Sequence, residues 1–259
     1  MDSQYVEGLR RAEIELALDE IRSRKPFGAS IIEIGGGAGW QARILAEAGF
    51  SVRSFDVPGS EFKNNLVFPV EEYDGKHIPA PGASFDVAFS SNTLEHIAEL
   101  EAFQDELRRV MKPDGIAIHI VPSATWRIYT LLAHYPWLAK AAAKLIGTRF
   151  GWNESPDSQI VTRASSRRST SQLLSRILLS PRHGERGNAV SELWLFSRFG
   201  WMRLFRRTGW RILAHYPNRL WYTGYELLNN RLRVETRQRL SRLLGSSCHV
   251  YVLRPHSLS

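Results

Sequence analysis

The residues best placed to do chemistry lie near the start of the chain. Ile31-Ile32-Glu33-Ile34-Gly35-Gly36-Gly37-Ala38-Gly39 sets a carboxylate at the end of a short apolar run and follows it with a glycine-rich turn. Without Cβ, such a turn reaches positive φ and lets backbone N–H groups approach a ligand, at a helix start whose dipole favours negative charge. A second carboxylate, Asp56, closes the next apolar run. A carboxylate there can accept two hydrogen bonds from the vicinal hydroxyls of a ribose. A dinucleotide fingerprint counted from Gly35 would want a small residue where Trp40 stands, so a nicotinamide cofactor is the weaker reading.

A second polar group comes much later, in Pro181-Arg182-His183-Gly184-Glu185-Arg186-Gly187-Asn188 and then Glu192. An imidazole titrates near neutral pH, so His183 is a candidate general base, with Glu185 or Glu192 to orient it. A solvated loop is the plainer alternative and stays open. His96 is a candidate second base. His119 falls inside an apolar run and is expected to be a satisfied core histidine. Cys248, the only cysteine, excludes an intrachain disulfide and a CxxC-type zinc site, and in an apolar run it is expected to be an inert buried thiol. No metal ligand set is expected.

The elements that must position these residues follow from apolar periodicity. Residues 3–23 repeat apolar positions at helical spacing and stop before Lys25-Pro26. Short apolar runs predict strands at 29–34, 50–55, 66–70, 85–90, 116–121, 210–215 and 248–253. Helices are predicted at 41–48, 100–111, 197–208 and 231–244. This alternation predicts an α/β fold: a doubly wound, mostly parallel, seven-stranded sheet. Residues 124–195 interrupt it, so the core is expected to be 1–123 with 196–259. The interruption is expected to be a basic, aromatic and mainly helical cap after strand five, on the acceptor side. Within it, 153–168 is rich in Ser and Arg and is expected to be mobile.

Charge divides the chain in the same place. The first 123 residues carry a net charge of −8 and the remaining 136 carry +16. The basic half is expected either to attract phosphates, anionic lipid or another acidic polymer, or to be a solvated face. With 43% hydrophobic residues, no secretory leader pattern and no apolar run of membrane-spanning length, the chain is expected to be globular and cytoplasmic, with peripheral contact to an anionic membrane open to it.

Four segments in order carry a family resemblance: Glu33 to Gly39, Phe55-Asp56, the run from Ser84 through Asn92 to Ile97, and Met111-Lys112-Pro113-Asp114-Gly115. Together they resemble the motifs of class I S-adenosylmethionine-dependent methyltransferases, over roughly residues 29–123, and so imply a Rossmann-like fold with S-adenosylmethionine as cofactor. The resemblance implies cofactor contacts from Glu33, Gly35, Gly37, Gly39, Asp56, Tyr73, Asp74, Ser91 and Asn92, with Asp56 on the ribose and Asp74 on the adenine amino group. The departures are Val57-Pro58-Gly59 after Asp56 and Gly75-Lys76 after Asp74.

Methyl transfer from a sulfonium needs mainly in-line approach and shelter from water. Ser91-Asn92-Thr93-Leu94 is not the Asn/Asp/Ser-Pro-Pro-aromatic string of enzymes that methylate base amines, which makes nucleic acid the weaker partner. The expected product is an O-methylated saccharide, glycolipid or other lipid-linked small acceptor. Open alternatives are an RNA methyltransferase or RNA-binding protein using the Arg-rich half, and a regulator that binds the cofactor without turnover. The oligomeric state is not fixed by the sequence.

Overall fold

The computed structural model describes residues 3–59, 66–149, 181–224 and 231–256. The expected mobile run at 153–168 and part of the expected cap lie outside these residues. In chain order the elements are α1 (Ser3–Arg24), β1 (Ser30–Ile34), α2 (Trp40–Glu47), β2 (Ser51–Asp56), β3 (Val70–Glu72), β4 (Phe85–Ser91), a 3₁₀ turn (Leu94–His96), α3 (Leu100–Val110) and β5 (Met111–Pro122). They continue with α4 (Ala124–Arg149), α5 (Ser191–Leu195), α6 (Arg198–Arg207), β6 (Trp210–Pro217), α7 (Val234–Leu244) and β7 (Cys248–Pro255).

The seven strands form one sheet in the order β3-β2-β1-β4-β5-β7-β6, with β7 antiparallel to both its neighbours and the other pairings parallel. The chain winds from β1 outward to β3, then crosses to the other side of β1 to lay down β4 and β5. Right-handed crossovers in opposite directions place α2 and α3 on opposite faces. The strand order therefore reverses between β1 and β4. Ligands bind beyond the carboxyl ends of the strands at such a reversal, because the loops there diverge to opposite faces and leave a crevice.

The central strands are apolar on both faces, as a sheet covered on both sides requires. Ile31, Ile32, Val87, Phe89, Ile116, Ile118 and Ile120 are all inaccessible to solvent. Helix α3 is amphipathic and buries Leu100, Phe103, Leu107 and Val110 at spacings of three and four. Helix α6 starts at Ser197, whose hydroxyl accepts from the Gly200 amide, and buries Trp201, Leu204 and Phe205. The Trp201 indole donates to the Pro122 carbonyl at 3.0 Å, so the large ring is buried with its polar atom satisfied.

Two strands differ from their predictions: β5, expected at 116–121, already begins at Met111, which pairs with Phe85, and the third strand is displaced along the chain. The run 66–70 is apolar enough for a strand, yet β3 is Val70–Glu72. Pro69 has no N–H to give a ladder, and Val67 instead donates to the Ala38 carbonyl at 2.9 Å, so the preceding residues lie along the glycine turn.

Candidate active site

The glycine turn leaves β1 at the reversal point. Gly35, Gly37 and Gly39 take φ values of 79°, 55° and 82°. Gly35 is required twice over: a Cβ there would stand 2.2 Å from the Thr93 hydroxyl, where the loop after β4 closes on the turn. The direction of the amides corrects the sequence expectation. Gly35 and Gly36 donate to the Phe55 carbonyl at 2.8 and 3.1 Å, Gly37 to Asp56 Oδ2 at 2.8 Å and Gly39 to the Gly36 carbonyl at 2.8 Å. These N–H groups bind β2 and the turn itself, so the turn is not the open amide cradle that a pyrophosphate uses. What the glycines provide is a bare backbone wall.

Asp56, at the end of β2, faces this wall. Its two oxygens accept the amides of Gly37 and Val57 at 2.8 and 2.7 Å, which fixes the carboxylate and leaves each oxygen lone-pair capacity for a ligand. Gly35, Gly37 and Asp56 line a cavity of about 830 Å³ together with Tyr73, Asp74, Asn92, Thr93, His96, Ile97, Ala102 and Phe103. The volume is that of a cofactor-sized site. Tyr73 packs edge-on to Phe55 and near Phe103, which gives the cavity an aromatic and apolar side suited to a flat heterocycle.

Other expected cofactor residues take different places. Asp74 borders the cavity, and it also makes a turn: Oδ1 accepts the amides of Lys76 and His77 at 2.8 and 2.7 Å, and Oδ2 meets His77 Nδ1 at 2.7 Å. Those bonds, His77 first, hold its carboxyl below the usual range. Asn92 lines the cavity with φ 51°, a left-handed conformation that Asn tolerates, and its amide is tied to the Ile120 carbonyl. Ser91 turns away from the cavity to Arg10 and Glu13, 3.4 Å from each.

Glu33 is buried beneath the turn, where the Ser54 hydroxyl donates to it at 2.5 Å. Burial pushes it up to about 7 despite that bond, with the Asp56 charge adding to the rise.

The second polar group is assembled across the far side of His96. Glu192, expected to orient the His183 ring, is fully buried and does something else. Its Oε1 accepts the backbone amides of His183 and Gly184, both at 2.8 Å, while Oε2 sits 2.8 Å from Arg127 Nε in a close ion contact rather than an aligned hydrogen bond. Arg127 is itself buried, and its guanidinium also reaches the Pro181 carbonyl at 3.0 Å. Glu185 pairs outward with Arg182. The carboxylate beside the His183 ring is Glu95, with Oε1 3.9 Å from Nε2 of both His183 and His96. The two imidazoles stand 4.8 Å apart centre to centre, and Trp126 packs edge-on to His183 at 4.5 Å. Burial of its packed side, with His96, Arg127 and Arg10 nearby, holds the His183 imidazole low and therefore neutral.

Glu95 was missed by the sequence reading. Its only local signal is the neighbouring His96, and its meeting with His183 depends on the fold. Glu13 was missed too: a buried carboxylate on α1, it gathers Arg10 at 2.6 Å, Asn218 at 2.9 Å and the Tyr222 hydroxyl at 2.8 Å. This network ties α1 and the end of β6 to the Ser91-Asn92 corner of the site. His119 is buried in the core as expected, but it is satisfied on one side only: Nδ1 bonds Ser90 at 2.8 Å and the ring stacks on Phe205, while Nε2 has no hydrogen-bond partner. Cys248 is buried as expected, beside the Tyr222 hydroxyl.

A reversed α/β sheet of this order, with a glycine turn after β1, a carboxylate after β2 and a nucleoside-sized cavity between, defines a class I methyltransferase fold with a cofactor site. The profile of the methyltransferase domain family matches residues 5–153, more than half of the chain, and the chain belongs to that family. S-adenosylmethionine is the cofactor of such domains. The 2-methyl-6-phytyl-1,4-hydroquinone methyltransferase of Synechocystis sp. is 31% identical over 103 residues, covering 36% of this chain and 32% of that protein. An uncharacterized methyltransferase of Mycobacterium bovis is 27% identical over 134 residues, covering 48% of this chain and 52% of its own length. The chain thus spans between a third and about half of these relatives. A crystal structure of an S-adenosylmethionine dependent methyltransferase from Mesorhizobium loti shares the fold, with a TM-score of 0.53 at 18% identity over 95% of this chain and 100% of that one.

Proposed function

We propose that this chain transfers the methyl group of S-adenosylmethionine to a hydroxyl of a small acceptor, a saccharide, glycolipid or other lipid-linked molecule. The observation that carries the reading is the inward-turned glycine amides beside a fixed Asp56 carboxylate. A turn whose glycine amides are bonded within the protein, beside a diol acceptor, suits an adenosyl sulfonium better than a dinucleotide.

In this reading Asp56 accepts the ribose hydroxyls, Tyr73 and Phe103 flank the adenine, and Asp74 lies where the adenine amino group can donate. Gly35 and Gly37 let the cofactor lie against the backbone. When bound, the cofactor supplies an electrophilic methyl on a positively charged sulfur. The chain's own work is then to align an acceptor and exclude water. His96 borders the same cavity and connects it to His183 and Glu95, so the acceptor hydroxyl is assigned to that end.

An apolar acceptor is supported by Ile128, Leu132 and Tyr135, which repeat at helical spacing on α4 and remain exposed. No described helix is long and apolar enough to cross a membrane, so contact with an anionic lipid surface would be peripheral. The hydroquinone named for the Synechocystis relative is also a hydroxylated, lipid-tailed molecule.

The test is release of S-adenosylhomocysteine with methyl-labelled cofactor over a panel of saccharides, glycolipids and quinols, with RNA as a comparison. O-Methyl product from one of the first classes, lowered about 10²–10⁴-fold in His183→Ala, supports the proposal. Label in RNA alone, or full turnover by His183→Ala, contradicts it.

A further inference from the structure

Beside the cavity, and reaching it through His96, lies a second feature that methyl transfer as such does not require. Glu95, His96 and His183 bring one carboxylate oxygen and two imidazole nitrogens within 4.8 Å of one another. Glu95 is only 1% exposed, and neither of its carboxylate oxygens has a hydrogen-bond partner. Buried acceptors are almost always paired, because leaving one bare costs its whole desolvation. Both imidazoles stand 3.9 Å from this carboxylate, and the charges of Arg10, Glu13 and Arg186 also act on it.

The arrangement is held in place by backbone. The Glu185 amide donates to the Glu95 carbonyl at 2.9 Å, and a Cβ on Gly184 would stand 2.6 Å from that same carbonyl. The 183–185 segment is therefore clamped against residue 95. Two of the nearby cations are already matched: Arg10 faces Glu13 and Arg127 faces Glu192. The imidazoles keep 46% and 36% of their side-chain surface open, which leaves a way in.

We propose that Glu95, His96 and His183 bind one divalent first-row transition-metal ion at the edge of the cavity, which the group reaches through His96. Two imidazoles and one carboxylate suit Zn²⁺, Mn²⁺, Fe²⁺ or Co²⁺, whereas Mg²⁺ and Ca²⁺ prefer all-oxygen sets. Bonds of about 2.1 Å set ligand atoms roughly 3.0–3.4 Å apart, so the 3.9 Å carboxylate–imidazole contacts close by about 0.5–0.9 Å on binding, and the widest separation, up to 4.8 Å, by about 1.4–1.8 Å. Three protein ligands leave positions for a small molecule, as in catalytic rather than structural sites.

The role assigned to the ion rests on the methyl-transfer reading above. An acceptor hydroxyl bound to it becomes more acidic and gives its proton to solvent. Its oxygen then forms the bond to the methyl carbon as the carbon–sulfur bond breaks, with that electron pair staying on sulfur. His183 is in that case a ligand, and its loss removes the ion rather than a base.

The experiment is titration of the whole chain with Co²⁺, followed by visible absorption and by calorimetry, alongside Glu95→Gln and His183→Ala. One ion per chain is expected, bound at least tenfold more weakly by each variant and displaced by Zn²⁺ but not by Mg²⁺. S-adenosylhomocysteine affinity and the melting transition of His183→Ala, measured on the same samples, show that the fold persists. Equal Co²⁺ binding by wild type and both variants, or none by wild type, overturns the site. Cofactor binding without Co²⁺ removes the metal proposal alone; Co²⁺ binding without cofactor removes the methyltransferase reading and leaves the metal site.

Discussion

The two ends of the cavity are built from different kinds of sequence. At the cofactor end, the glycine turn and Asp56 come from adjacent parallel strands, and their contacts run between backbone amides and a carbonyl or carboxylate one strand away. At the His96 end, Glu95 and His96 follow β4, while His183, which meets His96 from outside the cavity lining, arrives from beyond α4 and is held by a buried carboxylate and a buried arginine. The first end is a consequence of topology that many sequences share. The second depends on a few long-range polar contacts, and such contacts fail together when one partner is removed. Cofactor binding and the integrity of the His183 group are therefore expected to be separable by mutation.

The largest separation is expected from Glu192→Ala. It removes the carboxylate that faces the buried Arg127 and frees two amides of the 183–184 segment, at a cost of about 3–5 kcal/mol in unfolding free energy. Denaturant melts should show that loss. In the fraction that remains folded, the His183 cluster should be disordered, with turnover and Co²⁺ binding gone, while S-adenosylhomocysteine still binds. Loss of cofactor affinity equal to loss of turnover would break the distinction between the two ends.

Gly35→Ala strikes the other end. A left-handed φ costs a residue with Cβ about 1–2 kcal/mol, and the new methyl would push Thr93 and the loop after β4 away from the cavity. Calorimetry should show cofactor affinity reduced more than tenfold. Replacement of Thr93 by Gly in the same chain should recover part of it, since the steric term is then relieved and the backbone term is not.

The smallest effect concerns pH. Glu33 is raised from a usual value of 4.5 to about 7, chiefly by burial. Its folded form therefore holds a proton that the unfolded chain releases between these values. The contribution to stability is fully present below about 4.5 and is lost as pH rises through about 7. Comparison of Glu33→Gln with wild type isolates this group from the buried histidines, whose burial acts in the opposite sense. Wild type should lose stability relative to Glu33→Gln between pH 5 and 8. A constant difference in melting temperature across that range would show that Glu33 is already ionised in its pocket.

How much could be read in advance follows the same division. The periodic runs of β1, β2, β4 and α3, and the short spacing from Gly35 to Asp56, are local features, and they point to the sheet, its reversal point and part of the cavity lining, namely Gly35, Gly37, Asp56, Tyr73, Asp74 and Asn92 but not Thr93, Ile97, Ala102 or Phe103. The shift of β3 from 66–70 to Val70–Glu72 shows the limit of apolarity alone, since Pro69 and the draw of Val67 toward Ala38 decided the register. The turn amides could not be foreseen as inward donors, because glycine content says how freely a turn bends and not where its N–H groups point. Glu192 read as a ring-orienting acid because the buried position of Arg127 had no signal in an apolar, basic helix. The meeting of Glu95 with His183 joins segments far apart in the chain, and only the folded backbone brings them together.

The central claim is that the cavity between the glycine turn and Asp56 holds an adenosyl sulfonium. Calorimetric titration of the whole chain with S-adenosylmethionine, S-adenosylhomocysteine and NAD, repeated with Asp56→Ala, tests it most directly. Two lost hydrogen bonds to a carboxylate, at about 1.5 kcal/mol each, correspond to a weakening of roughly 100-fold. The account expects both adenosyl ligands to bind with one-to-one stoichiometry, to weaken by that order in the variant, and NAD to give no heat. Binding of NAD in preference to either, or adenosyl binding that Asp56→Ala leaves unchanged, would contradict it.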